Sequence, residues 1–103
     1  MKRFTLFLAG FLMSGTIHAA DIYLAGDSTM CSYPESRAPL TGWGMKLAGM
    51  TAEGVKVHNH AAGGLSSKSY MTSKRWEELL KSAKKGDYVI IQFGHNEIGR
   101  AHV

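Results

Sequence analysis

Short apolar runs alternate with polar or glycine-rich turns along this chain. Residues 22–25 and 88–93 are almost wholly apolar, and residues 55–59 alternate between apolar and polar side chains. Short apolar runs bounded by turns are typical of buried parallel strands, and strict alternation is typical of a strand too. We therefore expect three strands, of which the first and the third are buried.

Two segments between these strands have the spacing of helices. The positions of Trp43, Leu47 and Met50 predict a short helix from the first of these residues to the last. A second helix is expected after Ser73, its N-cap, and Gly86 is the expected C-cap. The apolar residues of this second helix are Trp76, Leu79, Leu80 and Ala83. Strands that alternate with helices predict a parallel sheet with right-handed crossovers.

The remaining segments predict loops and turns at the ends of the strands. Residues 30–41 contain both prolines, and residues 63–70 form a polar, glycine-rich stretch. In open α/β sheets, active sites form at the carboxyl ends of the strands, where such segments meet. The polar residues that follow each strand are therefore the candidates for chemistry.

A serine, a glycine pair and an asparagine follow the three strands in turn. Ser28 follows the first strand, Gly64 lies in the turn after the second, and Asn96 follows the third. A serine hydroxyl becomes an effective nucleophile when a base accepts its proton and hydrogen-bond donors stabilise the oxyanion. The backbone N–H groups of Ser28 and Gly64 and the side-chain amide of Asn96 are three such donors. Each feature alone is typical of an ordinary turn, so the prediction depends on all three in this order.

No histidine of the chain is assigned as the base. His58 and His60 are expected to share one face of the second strand, where packing or lining a cleft is favoured over metal binding. His95 precedes Asn96 and is interpreted as structural. The other two histidines lie near the ends of the chain, at positions 18 and 102.

Several other side chains are weighed for nucleophilic or sugar-binding roles. The serines at positions 66, 67 and 69 are rival nucleophiles that we rank below Ser28. Trp76 is expected to pack in the core, whereas Trp43 is open to stacking on a sugar ring. Tyr33 and Arg37 lie in the loop after Ser28 and are therefore placed for contact with a substrate.

The first 20 residues predict an export signal. Lys2 and Arg3 give a positive start, residues 4–13 are almost wholly apolar, and Ala19 and Ala20 provide a cleavage site. The apolar run is roughly half of the ~20 residues that a membrane-spanning helix needs. We therefore expect residues 1–20 to be removed, no stable membrane anchor to remain, and the protein to be periplasmic or extracellular.

The last seven residues predict neither a strand nor a capped helix. Residues 97–103 read Glu-Ile-Gly-Arg-Ala-His-Val, which is the translation of a common sequencing adapter, GAG ATC GGA AGA GCA CAC GTC. We interpret residues 97–103 as a non-native tail produced by read-through into an adapter. A genuine seven-residue tail is the alternative.

Without these two ends the charge of the chain is small. The whole chain has 12 basic and 8 acidic residues and a formal charge of +4, and the ends hold Lys2, Arg3, Arg100 and Glu97. Nine basic and seven acidic residues remain, with a formal charge of +2, which does not indicate a nucleic-acid partner. Cys31 is the only cysteine, and we expect it to be buried and free, with pairing to a cysteine outside this sequence as the alternative.

Taken together, the segments resemble the first half of an SGNH (GDSL-type) hydrolase, closest to the rhamnogalacturonan acetylesterase-like branch. Residues 26–29 resemble the nucleophile block, residues 42–44 the segment after it, residues 59–70 the glycine block and residues 86–96 the asparagine block. The resemblance covers essentially all of residues 21–96. It implies a flavodoxin-like, three-layer α/β/α fold with a parallel sheet, of which residues 21–96 would be the N-terminal part, and it implies no metal or organic cofactor.

The resemblance also implies roles for individual residues. Ser28 would attack the ester carbonyl, and Gly64 and Asn96 would complete the oxyanion hole with the Ser28 N–H, while Asp27 would shape the nucleophile turn. The family's acid and base lie in a late Asp-x-x-His segment, which does not occur in this sequence. We therefore expect the 103-residue chain to lack appreciable esterase activity. Glu97 departs from the family's usual Asp after Asn, which the adapter interpretation would explain.

The sequence thus predicts an exported serine esterase that removes acyl groups, acetyl first among them, from carbohydrates such as pectin-type polysaccharides. The expected partner is an acylated carbohydrate substrate. Two alternatives remain open at this point. A carbohydrate-binding protein would keep the cleft without the catalysis, and an SGNH-type acyltransferase would pass the acyl group to a sugar hydroxyl.

Overall fold

The computed structural model describes residues 19–98. The predicted signal peptide, apart from Ala19 and Ala20, and residues 99–103 of the predicted tail lie outside the described residues. Strands and helices alternate along the described part, as β1 (Ile22–Gly26), α1 (Trp43–Leu47), β2 (Val57–Asn59), α2 (Ser67–Met71), α3 (Lys74–Ser82) and β3 (Tyr88–Gln92). A 3-10 helix, Glu35–Arg37, lies in the loop between β1 and α1. No helix within residues 19–98 has the length and apolar character needed to cross a bilayer.

β1 is the central strand of a parallel sheet whose order is β2-β1-β3. Ile22 pairs with Val57 on one side and with Tyr88 on the other, and Gly26 at the far end pairs with Gln92. After β1 the chain crosses to one side of the strand, and after β2 it crosses to the other side. The carboxyl ends of β1 and β3 therefore form a topological switch point, where open α/β sheets bind their ligands.

Side chains of β1 alternate between two packed faces, as the pleat of a strand requires. On one face Tyr23 and Ala25 pack against a cluster that includes Tyr70 and Leu79, from α2 and α3. On the opposite face Leu24 packs against a cluster whose other members are Met30, Cys31 and Ala61, with Leu47 of α1 at its border. Helices thus cover both faces of the sheet, which confirms the predicted three-layer α/β/α architecture. Cys31 is buried and free, as expected.

β3 is exposed, contrary to the prediction that it is buried. All five of its residues are exposed, with Tyr88 at 66% and Ile91 at 60% of their full accessibility. β3 is an outer strand, and within residues 19–98 no further strand lies on its far side. Its apolar composition predicted burial, but its position at the edge of the sheet leaves it open to solvent.

α1 and α3 differ from the prediction at their C-terminal ends. α1 ends at Leu47 because the next backbone bonds, from Gly49 N to Lys46 O and from Met50 N to Leu47 O, are tight turns rather than α-helical bonds. α3 has Ser73 as its N-cap, as predicted, but its C-cap is Ala83. Gly86 instead lies at φ +96° in the turn before β3. Of the predicted apolar face of α3, Leu79 is buried and Trp76 and Ala83 are partly buried, whereas Leu80 is 59% exposed.

α2 lies where the sequence predicted only a polar turn. Its N-cap is Ser66, whose hydroxyl accepts a hydrogen bond from Ser69 N, while the Ser69 hydroxyl accepts one from Ser66 N. This reciprocal capping box satisfies two backbone donors at the start of a helix. Hydroxyl caps, rather than apolar periodicity, therefore specify this helix, together with burial of Tyr70.

Candidate active site

The polar segments that follow the three strands converge at the carboxyl end of β1. The first is residues 26–29, the second residues 63–70 and the third residues 94–96. Ala62 N donates to Gly26 O over 3.0 Å, and a Cβ added to Gly63 would lie 3.4 Å from Ser28 Cβ, so the glycine turn lies directly beside the serine. From the third segment, Asn96 Nδ2 donates to Leu65 O over 3.0 Å. These contacts bring together the segments that contain the sequence-predicted Ser28, Gly64 and Asn96.

Asp27 fixes the turn that carries Ser28. Its side chain is fully buried, and Oδ1 accepts hydrogen bonds from Thr29 N at 3.0 Å and Thr29 Oγ1 at 2.7 Å. Oδ2 accepts a longer bond, 3.4 Å, from His95 N. Burial alone would raise the pKa of the Asp27 carboxyl, but these hydrogen bonds outweigh burial and the pKa lies below its ordinary value. Asp27 therefore stays ionised and holds the first segment to the third.

Ser28 itself is left open by this arrangement. The residue is half-buried, and within residues 19–98 neither its Oγ nor its backbone N–H has a hydrogen-bond partner. Its carbonyl oxygen, by contrast, accepts a hydrogen bond from the Tyr33 hydroxyl over 2.8 Å. The backbone of the nucleophile turn is thus fixed while the hydroxyl and the amide remain free to meet a ligand.

Gly64 provides the second predicted donor. Its φ of +78° lies in the left-handed region that favours glycine, and no atom approaches within 4 Å of the position of an added Cβ. Lack of space is not the reason for glycine at this position, because a side chain would fit. The reason is the positive φ. Its N–H donates to no acceptor among the described residues.

Asn96 is oriented by the glycine turn. The bond from its Nδ2 to Leu65 O uses one of the two amide hydrogens and leaves the other. The next residue, Glu97, accepts bonds from Ser67 N at 2.7 Å and Ser67 Oγ at 3.2 Å. The third segment therefore contacts both the turn after β2 and the start of α2.

Side chains from α2 and α3 also hold the backbone that leads into the glycine turn. The Tyr70 hydroxyl donates to His60 O over 2.6 Å, and Arg75 Nη1 donates to Ala61 O over 3.0 Å. Burial raises the pKa of Tyr70 to about 12, so its hydroxyl keeps the proton that it donates. The position of Gly64 is thus supported by two helices as well as by β1.

Sequence reasoning missed Gln92, the last residue of β3. Its Oε1 accepts a hydrogen bond from Trp43 Nε1 at 2.9 Å and lies 3.3 Å from Thr29 Oγ1, whose proton is donated to Asp27. Gln92 therefore links α1, the nucleophile turn and β3. An amide at the last position of an otherwise apolar strand is the signal that would have found it.

The described histidines provide no base for Ser28. His58 and His60 lie on the predicted common face, with ring centroids 4.4 Å and 5.8 Å from that of Tyr23, which supports packing. His58 Nε2 also contacts Asp21 Oδ2 at 2.9 Å, beside the start of β1. Burial lowers the pKa of His60 below its ordinary value. Among residues 19–98 no three histidine, cysteine or acidic side chains are grouped so as to hold a metal ion.

The rival serines have structural positions. Ser66 and Ser69 form the capping box of α2, and Ser67 donates from its backbone and side chain to Glu97. The Ser66 and Ser69 hydroxyls are therefore engaged at the start of a helix, whereas the Ser28 hydroxyl is not. The Ser67 contact is to the first residue of the predicted tail.

Comparisons with known proteins agree with this geometry. The chain is 43% identical over 76 residues to the rhamnogalacturonan acetylesterase RhgT of Bacillus subtilis, an alignment that covers 74% of this chain and 33% of that protein. It is 42% identical over 81 residues to a rhamnogalacturonan acetylesterase of Emericella nidulans, covering 79% of this chain and 30% of the relative. The chain thus spans about a third of the length of these curated relatives. No family model matches it.

A solved structure shows the same fold. The crystal structure of YxiM from Bacillus subtilis superposes with a TM-score of 0.72 at 33% identity, covering 84% of this chain and 25% of that one. In its fold and in these relatives, the chain is similar to hydrolases of the SGNH type. Within that class it is rhamnogalacturonan acetylesterase-like, as the resemblance of its motifs predicted.

Proposed function

We propose that the gene encodes an exported serine esterase that hydrolyses acetyl esters on a pectin-type polysaccharide such as rhamnogalacturonan. The observation that carries the proposal is the set of free groups at the switch point. The Ser28 hydroxyl and the N–H groups of Ser28 and Gly64 have no partner within residues 19–98, beside an Asn96 amide that is already oriented. Similarity to two rhamnogalacturonan acetylesterases supports the substrate class.

In the proposed reaction, Ser28 Oγ attacks the ester carbonyl carbon while a base accepts the hydroxyl proton. The carbonyl oxygen becomes an oxyanion, which accepts hydrogen bonds from Ser28 N, Gly64 N and Asn96 Nδ2. The intermediate then expels the sugar oxygen, which takes the proton from the base, and the acetyl group remains on Ser28. Water releases acetate by the same two steps and restores the serine.

The base is proposed to lie outside the described residues. No histidine ring within residues 19–98 is hydrogen-bonded to Ser28, and the sequence contains no Asp-x-x-His segment. Residues 21–96 would then supply the nucleophile and the oxyanion hole of a longer hydrolase domain. On this proposal the 103-residue chain alone has no appreciable esterase activity.

The proposal includes the two ends of the sequence. Residues 1–20 would direct export, and residues 97–103 would not be native. Sequencing fresh genomic DNA downstream of the Asn96 codon tests the second point. We expect an Asp codon next and an Asp-x-x-His segment further on. If the seven codons of residues 97–103 are present in the genome, the adapter interpretation is wrong.

The activity is tested with the protein encoded by the complete gene. We expect it to release acetate from acetylated rhamnogalacturonan, and Ser28→Ala to lower the rate by at least about a thousandfold, because the nucleophile is lost. Ser82→Ala is a matched control, since the Ser82 hydroxyl only donates to Glu78 O within α3. Undiminished acetate release by the Ser28→Ala protein would exclude this mechanism. Transfer of acetyl to a sugar acceptor would identify an acyltransferase, and binding without acetate release a carbohydrate-binding protein.

A further inference from the structure

The loop between β1 and α1 is anchored beside Ser28 at both of its ends. Where the loop returns, Trp43 N donates to Thr29 O over 2.9 Å and Gly44 N donates to Met30 O over 3.0 Å. Residues from about 31 to 42 therefore leave the nucleophile turn and come back to it. Tyr33 and Arg37 lie on this loop.

Tyr33 links this loop to the nucleophile. Its hydroxyl donates to Ser28 O over 2.8 Å, and its backbone N–H donates to Met45 Sδ over 3.3 Å. The ring packs at the border of the cluster that contains Leu24 and Met30. Tyr33 is thus held at both its backbone and its hydroxyl, and its ring has a fixed place relative to Ser28.

Arg37 is positioned by the Tyr33 ring. Its guanidinium carbon lies 5.8 Å from the ring centroid, within the range of a cation–π contact. Within residues 19–98 no carboxylate pairs with it, although Glu35 lies on the same 3-10 helix. The nearby Asp27 carboxylate is buried and accepts bonds from Thr29 and His95. The exposed Arg37 guanidinium therefore lies against Tyr33, whose hydroxyl is bonded to Ser28 O, and it has no acidic partner among residues 19–98.

A guanidinium is suited to bind a carboxylate through two parallel hydrogen bonds. A rhamnogalacturonan carries a carboxylate on each of its galacturonic acid units, so every acetylated sugar is a uronate or has uronate neighbours. We propose that Arg37 binds a uronate carboxylate of the polysaccharide beside the ester presented to Ser28, with Tyr33 as the residue that positions Arg37. This inference rests on the proposed function, since it concerns the substrate of the same site.

A binding experiment with the protein encoded by the complete gene, using ligands that carry no acetyl ester, tests the proposal independently of turnover. Trigalacturonic acid and its fully methyl-esterified form are titrated separately, and binding is followed through the Arg37 Nε–H and backbone amide signals by NMR. We expect the acid to bind about three to ten times more tightly than the ester, the range for an exposed but bidentate charged contact. We expect 0.5 M NaCl to remove most of this preference.

Variants test whether Arg37 is responsible for the preference for the acid over the ester. Arg37→Gln should abolish it, Arg37→Lys should keep part of it, and Tyr33→Phe should weaken it. Lys56→Gln is the matched control, because Lys56 is an exposed cation whose carbonyl pairs with Ile22 at the opposite end of β1. If wild type and Arg37→Gln show the same ratio of acid to ester affinity, the proposal is wrong.

The outcomes separate this inference from the proposed function. Acetate release by the gene product together with an unchanged ratio in Arg37→Gln would overturn the uronate site and leave the esterase. An Arg37-dependent preference without acetate release would support the uronate site and overturn the esterase. Equal binding of acid and ester by the wild-type chain would also overturn the uronate site.

Discussion

The two carboxylates that flank β1 lie in different surroundings. Asp21 comes directly before the strand, where its Oδ2 contacts His58 Nε2 at 2.9 Å and its N–H donates to Asp87 Oδ1. Asp27 comes directly after the strand, is fully buried, and accepts its bonds from the backbone and side chain of Thr29 and the backbone of His95. Asp21 thus contacts an ionisable side chain, whereas Asp27 fixes the backbone of the turn that carries Ser28.

The comparison of Asp21 with Asp27 shows which end of β1 has free groups that could bind a ligand. An acid and a histidine 2.9 Å apart look like part of a catalytic triad, yet this pair lies at the amino end of the sheet, where the His58 ring stacks on Tyr23. At the carboxyl end, Asp27 holds its neighbours in place while the hydroxyl and N–H of Ser28 remain free. Free donors on a rigid turn at the switch point, rather than proximity of charges, therefore mark the candidate site.

The contrast between the amino and carboxyl ends of β1 is tested most strongly by the loss of activity expected in a variant of Asn96. Asn96→Ala removes one of the three proposed oxyanion donors, so we expect kcat for acetate release by the complete gene product to fall by about 10²–10³. KM should change little, because the oxyanion exists only after attack. Steady-state kinetics on acetylated rhamnogalacturonan give both parameters.

A conservative variant sharpens the same test. Asn96→Asp keeps the size of the side chain but places an oxygen where Nδ2 donates to Leu65 O. We expect it to lose as much kcat as the alanine variant. A loss confined to KM in either variant would place Asn96 in substrate binding instead.

The next effect is on stability and concerns Asp27. Asp27→Ala removes a fully buried carboxylate that accepts three hydrogen bonds, from Thr29 N, Thr29 Oγ1 and His95 N, so we expect the free energy of unfolding to fall by about 2–3 kcal/mol. Urea unfolding at pH 7, followed by far-UV circular dichroism, measures the change. Asp21→Asn provides the comparison across β1. Since the side chain of its partner His58 is 35% exposed, we expect a loss of only about 0.2–1 kcal/mol for that pair.

The pH dependence of the Asp27 contribution has a defined sign. Because the pKa of Asp27 is lower in the folded protein than in the unfolded chain, its stabilisation is complete above the unfolded value of about 4 and is lost as the pH falls through the folded value. The wild-type chain should therefore lose stability more steeply below pH ~4 than Asp27→Asn does. Equal slopes, or a larger loss in Asp21→Asn than in Asp27→Ala, would contradict the contrast between the two ends.

Gly64→Ala is expected to have a smaller effect on stability than Asp27→Ala. Alanine would fit in the open space around this residue, but its φ of +78° costs an L-residue about 1–2 kcal/mol. We expect Gly64→Ala to lower the free energy of unfolding by that amount, measured as for Asp27. Gly49→Ala is a suitable control, because Gly49 has no positive φ and the nearest atom to its added Cβ is 3.8 Å away. A stable Gly64→Ala protein would show that the turn relaxes without cost.

Much of the fold could be predicted from local sequence signals. The apolar run of β1 between Asp21 and Asp27 predicted a buried strand, and Ser73 predicted the start of α3. The order of Ser28, Gly64 and Asn96 along the chain predicted a common edge, because parallel strands place their carboxyl ends together. Each of these signals depends only on neighbours in sequence or on the direction of the strands.

The features that could not be predicted depend on contacts across the chain. α2 is specified by hydroxyl caps at Ser66 and Ser69, a signal that also fits a turn. The exposure of β3 follows from its place at the edge of the sheet, which its composition does not reveal. Gln92 accepts a hydrogen bond from Trp43, which lies 49 residues away in the sequence. The periodicity of apolar residues does not predict such a contact.

The hydrogen bond from His95 N to Asp27 Oδ2 joins residues that are 68 positions apart in the sequence. We therefore expect it to form late in folding. Closing so long a loop costs chain entropy that only a largely formed sheet can offset. The serine turn can form early from local bonds, whereas Asn96 reaches it only when β3 has paired. A nascent or partly folded chain would therefore present Ser28 without the asparagine donor.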